Sequence, residues 1–94
     1  MDKTLKAKII KDVLLDHIGG YDQPLVDVPV FDDERQTYML ITKSTADSDE
    51  LVYQVLCAIV INPDGKVVIE FNRSDIDLKD VFLSEGIPYS DISF

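Results

Sequence analysis

Six apolar residues near the start of the chain, Leu5, Ile9, Ile10, Val13, Leu14 and Ile18, recur at the three-and-four spacing that lines one side of an α-helix. They predict a helix over about residues 3–18, with Lys8, Lys11, Asp12 and Asp16 on its solvated side. Gly19-Gly20 ends it, because glycine accepts the left-handed conformation used just past a helix. Beyond this point the period drops to two. Residues 25–32 alternate Val26, Val28 and Val30 with Leu25, Asp27, Pro29 and Phe31. Pro29 has no N–H to give a ladder, which assigns this strand to an edge or a bulge. A second strand is expected over 37–43, centred on Tyr38 to Ile41, followed by a polar loop over 44–50. Residues 51–61 form the longest strand and are apolar on both sides: Tyr53, Val55, Cys57, Ile59 and Ile61 against Val52, Leu56, Ala58 and Val60. Such a strand is expected at the centre of a sheet, covered on both faces.

Asn62-Pro63-Asp64-Gly65 is a turn signal with a mechanism. Pro63 presets φ for the first corner, Asp64 suits the second and Gly65 supplies the left-handed residue that follows. The turn joins the long strand to a fourth one over 66–72, read as burying Val67, Ile69 and Phe71. Ser74 with Asp77 three residues later resembles a capping box for a second helix carrying Leu78, Val81 and Phe82. Gly86 and Pro88 stop that helix, and Asp91 to Phe94 is a candidate fifth strand. The expected architecture is one α+β domain over 1–94: N-terminal helix, antiparallel sheet of four strands with a candidate fifth, C-terminal helix. If both helices take one sheet face, the other is left as an apolar patch. A two-fold homodimer is then expected to bury it.

Composition narrows the function. Nine basic residues face eighteen acidic ones, a net charge of −9. That balance argues against a general nucleic-acid binder, whose affinity comes from Lys and Arg displacing counterions from phosphate. Four of the nine, Lys3, Lys6, Lys8 and Lys11, fall in the first helix, so weak, salt-sensitive DNA contact is the most expected of it. A single cysteine, Cys57, excludes an internal disulfide and a thiolate zinc site. The start of the chain does not read as a signal peptide, and its longest apolar run, Val55 to Ile61, is too short to span a bilayer. A cytoplasmic location without membrane contact is expected.

Candidate chemistry is sparse. His17 is the one histidine, and its expected place is the end of the first helix, where the dipole favours it. Cys57 lies in the most apolar strand, so its thiol is expected to be buried and inert. Asp32, Asp33 and Glu34 raise a metal reading, but they lack the spacing and glycine of an EF-hand loop. Asp64 with Glu70-Phe71-Asn72 falls short of a metal-dependent nuclease pattern, because Asn72 stands where a lysine would stabilise phosphate charge. A small metal- or ligand-binding enzyme using Asp32, Asp33, Glu34 and His17 is the alternative to a binding protein.

Three segments in register carry a resemblance. Phe31-Asp32-Asp33-Glu34-Arg35-Gln36-Thr37-Tyr38-Met39-Leu40 resembles the D-x-E-R-x-x-Y-x-L segment of XisI-like proteins, named for a controlling factor in excision of the fdxN element. Asp64-Gly65-Lys66-Val67-Val68-Ile69-Glu70 is similar to that family's D/N-G-K-I-W-I-Q strand. Glu85-Gly86-Ile87-Pro88 with Asp91-Ile92 is similar to its G-[VI]-P-x-x-D-I-V ending. The chain departs from the pattern at Thr42-Lys43-Ser44 and at Val68, where the family often has tryptophan. The resemblance implies a non-catalytic accessory protein that needs no cofactor and binds an XisH-like protein or a site-specific recombinase. The family-motif residues are Asp32, Glu34, Arg35, Tyr38, Gly65, Lys66, Gly86 and Pro88.

Overall fold

A computed structural model describes residues 1–17, 26–44 and 51–93. Ile18, the Gly19-Gly20 helix end, Leu25, most of the 44–50 loop and Phe94 lie outside the described residues. The order of elements is α1 (Lys3–Asp16), β1 (Val26–Asp32), β2 (Thr37–Ser44), β3 (Val52–Ile61), β4 (Val67–Asn72), α2 (Leu78–Ser84), a 3₁₀ turn (Tyr89–Asp91) and β5 (Ile92–Ser93). The strands form one sheet in the order β1-β2-β3-β4-β5. The first four are antiparallel neighbours, while β5 adds to β4 in parallel through Val67↔Ile92 and Val68↔Ser93. A parallel addition needs a crossover between its two strands, and the segment containing α2 supplies it. No helix among the described residues is long and apolar enough to cross a membrane.

Both helices pack on the same side of the sheet. One buried cluster holds Ile10, Val13 and Leu14 of α1, Leu78 and Phe82 of α2, and Tyr38, Leu40, Cys57, Ile59, Ile61 and Val67 of the strands. Each large aliphatic side chain withdrawn from water here contributes about 1.5–3 kcal/mol. Asp2 caps α1 by accepting the Leu5 N–H at 2.7 Å. The buried stripe of α1 is rotated from the expected one: Leu5 is exposed, and Lys6 and Ala7 are buried with Ile10. The spacing that selects Ile10, Val13 and Leu14 also selects Lys6, which a stripe drawn through apolar residues alone passes over. At α2 the cap is Asp77, which accepts the Asp80 N–H at 3.2 Å, and not Ser74, whose hydroxyl bonds Asn72.

Two bulges correct the face assignments. Between β2 and β3 the register slips at Leu40/Ile41, so that Leu40 pairs with Cys57 but Ile41 pairs with Val55. The extra residue, Leu56, reverses the alternation of β3. Cys57, Ile59 and Ile61 face the helices, whereas Tyr53 and Val55 face away from them. Residues 52–55 are all exposed, and the C-terminal half meets helices on one face alone, so the expected cover on both faces of this strand is not found among the described residues. A second slip between β3 and β4, at Ala58/Ile59, makes Glu70 the extra residue. Val67 and Ile69 therefore face the core, while Phe71 is opposite Ala58 on the far side and 40 % exposed, not buried as its spacing suggested.

Among the described residues the far side is apolar and carries no helix. Register puts Val26, Val28 and Val30 of β1 there, beside Lys43, Ile41 and Met39 of β2. The other alternation of β1, carrying Asp27, Pro29 and Phe31, faces the core with Thr42, Leu40 and Tyr38. Among the described residues the sheet thus has one face closed by helices and one face without them.

Candidate functional site

The segment from Asp32 to Tyr38 builds the tight turn between β1 and β2. Asp32 Oδ1 accepts the Arg35 N–H at 3.0 Å, and its Oδ2 accepts from the Arg35 guanidinium at 3.0 Å. The turn closes with Gln36 in the left-handed region at φ 49°, a conformation uncommon outside glycine. The Arg35 backbone hydrogen bond, followed by the guanidinium bond, holds the Asp32 carboxyl below its ordinary pKa. Glu34 points to solvent.

Asp33 links this turn to α1. Its Oδ2 and Oδ1 accept from Lys11 Nζ at 2.9 and 3.1 Å, and Oδ1 also accepts from the Tyr38 hydroxyl at 2.8 Å. Those bonds, Lys11 first, lower the Asp33 pKa. Burial, then the bond to Asp33, pushes the Tyr38 hydroxyl up. The Tyr38 ring is fully buried and meets Phe31 at a tilted 6.0 Å. A shallow cavity of about 290 Å³ lies between turn and helix, lined by Thr4, Ala7, Lys11, Asp33, Gln36 and Tyr38. Its charged groups bond one another, which leaves the arrangement suited to fastening a turn onto a helix rather than to moving a proton.

The remaining motif residues lie around a second junction, at the start of β4, and at the end of α2. Gly65 has φ +87°, and its carbonyl accepts Lys6 Nζ at 2.6 Å. Lys6 is buried and also pairs with Asp91 at 3.2 Å, so one cation joins α1, the β3–β4 turn and the 3₁₀ turn. Lys66 Nζ donates to the Ser90 carbonyl at 2.6 Å, and the Lys66 N–H donates to Asp64 Oδ1 at 3.0 Å. Gly86, at φ +105°, lets the Ile87 N–H reach back to the Phe82 carbonyl at the end of α2. Pro88 opens the 3₁₀ turn.

His17 is not gathered with the acidic turn. It ends α1, and its Nδ1 lies 2.8 Å from the Val13 carbonyl. Six residues separate it from Lys11, about 9 Å along the helix axis. Among the described residues no three His, Cys, Asp or Glu side chains converge on a metal position. The Cys57 thiol is fully buried, and that burial raises its pKa. Three of the four lysines in the first helix are engaged: Lys6 as above, Lys11 with Asp33, and Lys8 with Asp12 at 2.7 Å.

One polar group was not singled out by the sequence. Asp27 is buried on the core face, where Oδ1 accepts from the Thr42 hydroxyl at 3.1 Å and Oδ2 has no partner among the described residues. Its place in the alternation with Pro29 and Phe31 was the available signal, but a lone aspartate among valines reads as the solvent side.

A family model described as XisI protein matches residues 1–94. The chain is similar to the crystal structure of fdxN element excision controlling factor XisI from Anabaena variabilis ATCC 29413, with TM-score 0.77 and 22 % identity over 99 % of this chain and 91 % of that one. It is also similar to an XisI-like protein from the same organism, with TM-score 0.74 and 22 % identity over 98 % of this chain and 81 % of that one. No curated protein matches the chain.

Proposed function

Because the chain belongs to the XisI family, we propose that it is a non-catalytic cytoplasmic accessory protein of element excision that works by binding another protein, an XisH-like factor or a recombinase. The observation that carries this reading is the state of the motif residues. Asp32, Arg35 and Tyr38 act in one junction, and Gly65, Lys66 and Gly86 in another, all through bonds or backbone conformations internal to the fold. Groups engaged in that way build a scaffold and leave little to act on a substrate. The net charge of −9 suits a partner with a basic surface, which such a field attracts over a distance. Direct DNA binding is disfavoured, because Lys6, Lys8 and Lys11 already meet carboxylates.

Titration calorimetry of the purified chain with an XisH-like protein encoded beside it tests the proposal. Binding at micromolar or better concentration, weakening as salt rises, is the expected result. Absence of binding at low salt would remove the reading. So would sub-micromolar binding to duplex DNA at physiological salt.

A further inference from the structure

We infer that the open face of the sheet is the interface of a two-fold homodimer, its occupant a second copy of this chain. Val30, Met39, Ile41, Val55 and Phe71 lie on that face, with Tyr53 at its end. Val30 is 39 %, Phe71 40 %, Val55 41 % and Tyr53 61 % exposed, with Met39 and Ile41 half-buried between them. Scattered exposed apolar residues are ordinary, but a contiguous sheet of them is not. The inference stands apart from the proposed accessory role, since it rests on the sheet and not on any other partner.

Area and charge both favour a second copy. Four strands about 4.8 Å apart, with about eight residues each rising about 3.4 Å, present a face of about 500 Å². Two such faces remove about 1,000 Å², the size at which a specific interface begins. Two copies each carrying −9 repel, and a workable interface must keep carboxylates from meeting. Among the described residues most acidic side chains lie off this face: by register Asp32 stands at one end, Glu70 sits in the bulge at the rim, and Lys43 stands near the opposite end. A two-fold axis perpendicular to the strands sets them antiparallel between copies and brings Lys43 over the second copy's Asp32. Identical right-twisted sheets stack face to face about 10 Å apart without a mismatch in twist. Tyr53 and Phe71 supply the aromatic anchors that such interfaces favour.

Light scattering on the full chain at about 10–100 μM is the test, using Val55→Glu, Tyr53→Lys and, on the exposed side of α1, Leu15→Glu. The expected mass is twice the 10.6 kDa of one chain. Val55→Glu is expected to raise the dimer dissociation constant by about thirtyfold or more, and Leu15→Glu to leave it unchanged. Circular dichroism checks that each variant is folded. If Val55→Glu fails to fold, Tyr53→Lys decides, because that ring is mostly in water. A wild-type mass of one chain at every concentration, or any mass other than two, overturns the inference. A dimer that survives folded Val55→Glu, or Tyr53→Lys where that variant decides, overturns the choice of face.

Discussion

The two halves of β3 both carry large apolar side chains, yet those side chains have opposite fates. Cys57, Ala58, Ile59 and Ile61 are buried, with the odd-numbered three beneath the helices, whereas Val52, Tyr53 and Val55 stand in water. Hydropathy reports what a side chain would gain by leaving water, and it is silent on whether the same chain brings the cover. The difference arises from one inserted residue at Leu56, which reverses the alternation, and from two helices that share one side of the sheet. Apolar strand surface without cover in its own chain is a site for association.

The largest expected effects break or support this contrast directly. Phe82→Ala empties a site at 0 % exposure and is expected to cost about 3–5 kcal/mol in urea unfolding. Phe71→Ala, on the open face, is expected to cost about 1 kcal/mol or less when the chain is dilute, with the loss growing as concentration rises. Equal losses for the two at low concentration would erase the distinction between the faces.

The junctions that hold the covered side come next. Lys6→Ala leaves the Gly65 carbonyl and the partly buried Asp91 without their cation, an expected loss of about 2–4 kcal/mol. Lys8→Ala, which removes only an exposed pair with Asp12, is expected to leave the urea midpoint unchanged. An equally small effect at both positions would show that the Lys6 contacts do not fasten the helix to the turns.

Asp27 is the exception on the covered side. Its Oδ2 is buried without a partner among the described residues, and Asp27→Asn, which puts a more cheaply buried amide in place of the carboxylate, is expected to raise stability by about 1 kcal/mol. A loss of similar size would mean that the carboxylate meets a donor.

The smallest effect is in acid. Asp32 and Asp33 have folded pKa values below the ordinary 3.8, so their contribution is complete above that value and is lost as pH falls through the lowered one. Urea midpoints measured from pH 5 down to 2 should fall less steeply for Asp33→Asn than for the parent chain. Parallel curves would remove the turn from the acid response.

Local signals in the sequence were reliable where the physics is local. The Asn62–Gly65 turn appears as read, with the Gly65 N–H on the Asn62 carbonyl at 2.8 Å and φ +87° at Gly65. Pro29 lies in β1, an edge strand, and Gly86 ends α2. What the sequence did not disclose depends on partners far along the chain. Lys6 is buried because Gly65 and Asp91 arrive beside it, and Phe71 is exposed because a bulge at Glu70 turns it over. The acidic group at Asp32–Glu34 was visible as a cluster, but its bonds to Lys11 and Tyr38 required the helix to be placed against the turn. The parallel pairing of β5 had no signal in two residues of strand.

One face of the sheet is closed by helices of the same chain, and the other is inferred to close against a second copy. Hydroxyl-radical footprinting of Tyr38, Phe82, Tyr53 and Phe71, at nanomolar and at about 100 μM chain, measures both closures at once. Tyr38 and Phe82 are expected to be protected at both concentrations, while Tyr53 and Phe71 are oxidised in dilute solution and become protected on concentration. Equal oxidation of Tyr53 and Phe71 at the two concentrations would contradict the account.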